Sequence, residues 1–146
     1  MSDKSKELVA SICLINDKLH FRGIADNNIP ISIDYTPPFG DSLGYTSLEL
    51  LLLSLSSCMG SSILLLLRKM KKTIRAFEIH SRGIRREDHP TGFKTIFAEI
   101  NLKSSDVTDA DLDKVIKLSE DTYCPVWAMV KGNVEIIVKY RIIKVG

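Results

Sequence analysis

Aromatic residues make up only 7% of this 146-residue chain, with one tryptophan, and charge of either sign is nearly balanced: 20 basic against 18 acidic side chains, a net of +2 at pH 7. So small a surplus leaves no electrostatic footprint for nucleic acid. The basic groups are scattered, and the clusters Arg82, Arg85, Arg86 and Arg68 to Lys72 read as solvated surface. Cysteine is scarce and odd in number, at three, which does not suit a secreted disulfide scaffold. The N-terminal MSDKSKEL lacks the apolar run of an export signal. Both observations favour a reducing, cytoplasmic compartment. No two cysteines stand at metal-ligand spacing, and His20, His80 and His89 form no HxxxH pair, so neither a metal nor a cofactor is expected. There is no phosphate-binding glycine loop, and Ser61 and Ser62 have no GxSxG context that would support serine hydrolysis. Without repeats, low-complexity tracts or linkers, residues 1–146 read as a single domain.

What the chain does have is a leucine-rich run, TSLELLLLSLSSCMGSSILLLLRKM, from Thr46 to Met70. Its length and basic flank satisfy a membrane span. Glu49, Gly60 and the serines at 54, 56, 57, 61 and 62 argue instead for a helix at the centre of a globular or dimeric fold. Thr46 followed by Glu49 is a capping box that marks its start, and the lysines near 69–72 suit its negative end. Before it, Glu7 to Ile15 and Lys18 to Ile24 predict a hairpin across Asn16-Asp17, and Ile29 to Asp34 a third short strand. After it, Ala76 to Arg86 and Phe93 to Lys103 predict a long hairpin. Thr108 to Asp121 predicts an amphipathic helix capped by Thr108 and Asp111, and Asn133 to Val145 a last strand. Strands and helices are grouped rather than alternating, which predicts an α+β fold with antiparallel sheet.

Chemistry rests on the cysteines. Cys58 falls in the middle of the long helix, away from its positive end, and reads either as a small buried hydrophobe or as a thiol activated by a cation from elsewhere. Cys124 precedes Pro125 in EDTYCPVWAMVKG, which makes it the N-cap of a short helix whose amides favour a thiolate. Cys13, in a predicted strand, reads as core. Glu49 lies nine residues before Cys58, on the opposite side of the helix at about 100° per residue, and the capping box accounts for it.

LELLLLSLSSCMGSSILLLLRKM resembles the central-helix motif of the OsmC/Ohr superfamily, the osmotically induced and organic-hydroperoxide-resistance proteins. YCPVWAMVKG resembles that family's second cysteine motif, and the elements between the two are similar as well, from about Gly44 to Val138. The resemblance implies an OsmC-like fold, with antiparallel sheets around a long buried central helix in an intertwined homodimer; the polar residues within the leucine run already speak for no membrane. It implies reduction of organic hydroperoxides, with Cys58 peroxidatic and Cys124 resolving, and a dithiol reductant, in many members a lipoylated protein. Peroxidatic members also carry a glutamate ten residues before the helix cysteine and an arginine near the N-terminus. Here Leu48 holds the glutamate position with Glu49 one residue later, and Arg22 in HFRGIADNN stands nearest the arginine. Those departures keep open an alternative: a non-enzymatic member that binds a lipophilic ligand or senses redox state. A structural dimer with inert thiols is the third reading.

Overall fold

The computed structural model describes residues 7–146. The chain divides into two compact units, Met1–Leu50 and Leu51–Gly146. In the first, β1 (Ala10–Leu14), β2 (Phe21–Ala25) and β3 (Ile31–Ile33) form an antiparallel sheet in that order. The hairpin expected across Asn16-Asp17 is present with a longer loop, because Asn16 Oδ1 accepts the amides of both Lys18 and His20 at 3.0 Å. The segment after β3 is tied down by Asp34, whose buried carboxylate accepts the amides of Tyr35, Asp41 and Leu43. Burial alone would raise its pKa, but the three amides hold it below the ordinary value.

Helix α1 (Ser47–Lys69) begins at the expected capping box. Thr46 N–H donates to Glu49 Oε1 at 2.8 Å, and Glu49 N–H to Thr46 Oγ1 at 3.2 Å. The helix ends as local chemistry dictates. Lys71 takes a left-handed φ of 64°, Lys71 N–H reaches Arg68 O and Lys72 N–H reaches Leu67 O, each at 3.0 Å, the pattern of a Schellman cap. By length and composition α1 could cross a membrane. Its residues Leu55, Met59, Gly60, Ser62, Ile63 and Leu67 are nevertheless buried against the rest of Leu51–Gly146. Each large apolar side chain among them contributes roughly 1.5–3 kcal/mol.

The second sheet has the order β4 (Ala76–Arg85), β5 (Phe93–Ser104), β6 (Glu135–Lys144). One face carries Phe77 and Ile79 of β4 beside Ile96, Ala98, Ile100 and Leu102 of β5, and receives α1: a methyl placed on Gly60 would sit 3.2 Å from the Phe77 ring and 3.5 Å from Ile79. β4 and β5 form the expected hairpin, but β6 pairs with β5 in parallel, not antiparallel as the grouping of elements predicts. The cause is the connection. Helix α2 (Asp109–Leu118), a π-helical turn (Ser119–Tyr123) and α3 (Pro125–Val130) carry the chain back along β5 before β6 begins, as a parallel crossover requires. Among the described residues the architecture is α+β, with two three-stranded sheets and three α-helices.

Candidate functional site

The path from α2 to α3 decides where Cys124 lies. Pro125 has no N–H and disfavours helical backbone in the residue before it, so the helical run cannot continue through Cys124. Cys124 adopts φ −94° and ψ 101°, with Pro125 at the start of α3. The preceding turn widens to close on it: Cys124 N–H donates to Ser119 O at 2.9 Å, a five-residue span characteristic of π geometry. As the N-cap expectation has it, Trp127 N–H donates to Cys124 Sγ at 3.4 Å.

The expected thiolate does not follow. Cys124 is 2% exposed, and burial pushes its thiol up to about 11 from 9.0. The neighbouring Cys58 thiol raises it further, and the Trp127 and Val126 amides oppose the shift without reversing it. The amide donors near the sulfur favour the thiolate less than the loss of water around it disfavours it. Cys124 is therefore a protonated thiol at neutral pH. The same interaction makes Cys58, half-buried on α1, a neighbour of Cys124.

The other sequence candidates lie in the Met1–Leu50 unit. Arg22 is exposed on β2, paired across the sheet with Cys13 and Ser32. Glu49 is exposed, with one carboxylate oxygen taken by the Thr46 amide. Cys13 is exposed rather than core, because alternation shows which residues share a strand face and not whether that face is covered. No cluster among the described residues could hold a metal ion.

Sequence reasoning missed two residues here. Ser62 and Ser119 are buried, 8% and 0% exposed, and their hydroxyl oxygens lie 2.5 Å apart. Ser62 follows Cys58 by four positions and so stacks one turn along the same helix face; that spacing was the available signal. Ser119 could not have been found, since its role depends on the π turn.

A long helix packed on a mixed sheet is an arrangement shared with known proteins. Residues 40–139 match the family model of the OsmC-like proteins. The chain belongs to the OsmC-like family. No curated protein matches it. Solved structures share its fold over nearly the whole length. A hypothetical protein from Aquifex aeolicus VF5 is 25% identical, with a TM-score of 0.85 over 97% of this chain and all of that one. An OsmC-like protein from Mycoplasma pneumoniae is 20% identical, with a TM-score of 0.79 over 97% of this chain and 99% of that one. An organic hydroperoxide resistance protein OsmC from Legionella pneumophila is 13% identical, with a TM-score of 0.72 over 94% and 98%. This OsmC-like chain therefore carries its two neighbouring thiols in a fold that those proteins also use.

Proposed function

We propose that this OsmC-like protein defends against peroxides by reducing organic hydroperoxides through Cys58 and Cys124. The observation that carries the reading is the meeting of the two thiols, one half-buried and one buried, from elements distant in sequence. The peroxide O–O bond is cut by the Cys58 thiolate. The alkoxide leaves with a proton as alcohol, and Cys58 becomes a sulfenic acid. Cys124 then attacks that sulfur. The new S–S bond forms as water leaves, carrying the sulfenic oxygen, its hydrogen and the Cys124 proton. A dithiol, such as a lipoylated protein, reduces the disulfide to two thiols and is oxidised in turn. The high pKa of Cys124 fits the resolving role: it stays protonated while Cys58 reacts. The leucines about Cys58 suit a fatty-acid-like peroxide better than hydrogen peroxide. A homodimer in the reducing cytosol completes the reading, since Leu53 and Leu65 of α1 remain 52% and 67% exposed in the single chain.

The test is peroxide consumption by the reduced protein with dithiol present, cumene hydroperoxide against hydrogen peroxide, followed by mass spectrometry. Rapid loss of the organic peroxide and a Cys58–Cys124 disulfide are expected. Cys58→Ser abolishes turnover, and Cys124→Ser permits one oxidation and then stalls at the sulfenic acid. Unchanged turnover in Cys58→Ser would refute the mechanism. A second reading, a non-enzymatic protein that binds a lipophilic ligand or senses redox state, draws support from the carboxylate of Glu49, which is engaged as a helix cap. Sluggish thiols and a co-purifying lipid would favour it.

A further inference from the structure

Two buried hydroxyls, those of Ser62 and Ser119, meet between helices whose Met59, Ile63, Leu112 and Val115 are also buried. Each must be hydrogen-bonded or be costly to bury. Ser62 Oγ donates its only proton to Met59 O at 3.0 Å. The proton in the 2.5 Å contact therefore comes from Ser119, and the chain runs from Ser119 to Ser62 to Met59 O. Ser119 also works through its main chain, since its carbonyl accepts the Cys124 amide at 2.9 Å. One residue thus ties the Cys124 backbone to the face of α1, one turn beyond Cys58.

We infer that the Ser62–Ser119 bridge is a positioning device that holds Cys124 where its sulfur can reach Cys58, and so sets the rate of disulfide closure. The inference rests on the proposed redox pairing of Cys58 with Cys124, not on which oxidant acts first. It deepens that reading by naming positioning residues outside the two thiols. Losing the bridge frees the π turn to shift along α1. Closure then slows, while the first oxidation of Cys58, which needs no Cys124, keeps its rate. The exposed sulfenic acid has longer to meet a second peroxide and advance to sulfinic acid.

The experiment measures closure in the full-length protein and in Ser119→Ala, Ser62→Ala and the double variant Ser62→Ala/Ser119→Ala. The double variant removes both hydroxyls together and leaves no unpaired partner, so it keeps the fold best of the three. Two oxidants separate the claims: cumene hydroperoxide, and 5,5′-dithiobis(2-nitrobenzoic acid). The aromatic disulfide forms a mixed disulfide on Cys58, which Cys124 displaces with release of a second thiolate. A closure rate at least tenfold lower in the folded double variant with either oxidant, with more sulfinic acid under peroxide, is expected. Closure as fast as in the unaltered protein overturns the positioning role. Closure with the aromatic disulfide but no reaction with peroxide overturns the peroxide reading and leaves the bridge standing. Failure of the unaltered protein to close with either oxidant overturns both.

Discussion

Two forces act on the sulfur of Cys124 in opposite senses. The amides at the start of α3 favour negative charge, and the removal of water disfavours it more strongly. The sign of the resulting pH dependence is set by the proton. The unfolded thiol releases it near 9.0 and the folded one near 11. Between those values the native state holds more protons, so stability falls as pH rises from 9 to 11 and is intact below 9. Urea unfolding across that window should show a shallower decline for Cys124→Ala than for the unaltered chain. Gly83 offers a steric counterpart: a methyl there would run into the ring of Phe93, which is buried and cannot swing clear. Gly83→Ala should lower stability by about 1–3 kcal/mol, read as a lower urea midpoint at constant slope. Neither effect was legible from the residue type. Cys124 was recognisable as a cap from Pro125 alone, whereas its burial depends on what α1 brings beside it.

At the scale of elements, the starts of α1 and α2 were legible because helix ends are local. The Thr46–Glu49 and Thr108–Asp111 boxes each close within one turn, and both are formed. The second is also tied to the end of α1, where Lys72 Nζ meets Asp111 at 3.0 Å. The Thr108 amide, and then Lys72, hold the Asp111 carboxyl down at about 2 against an ordinary 3.8. Its contribution is therefore present above 3.8 and is lost as pH falls toward 2. Thr108→Ala should cost about 1 kcal/mol, measurable by the same denaturation at neutral pH. The direction of β6 was not legible. Its alternating pattern reads identically from either end, so which way the strand runs along β5 is decided only by the crossover through α2 and α3.

At the scale of the whole molecule, apolar surface remains that a single chain does not cover. Ile12 and Leu14 of β1, Leu53 and Leu65 of α1, and Met129 of α3 are all exposed. Exposed apolar side chains on α1 and α3 are surface that association would cover, and the expected outcome is a dimer in sedimentation experiments. Leu65→Glu changes a side chain that faces solvent in the lone chain, where surface substitutions cost under about 0.5 kcal/mol. In a dimer that covers it, the same change buries an unpaired carboxylate and should shift sedimentation toward half the mass. A monomeric unaltered protein would overturn the dimer. What the sequence by itself determined was everything that closes over a few residues: the caps of α1 and α2, the strand alternation, and the proline stop that makes Cys124 an N-cap. The resemblance of its two cysteine motifs also placed it in its family. Only the tertiary structure decided that Cys58 and Cys124 meet, that Cys124 stays protonated, that Ser62 bonds Ser119 and that β6 runs parallel. Each of these depends on which distant segments exclude water from one another, and local propensity carries no record of that.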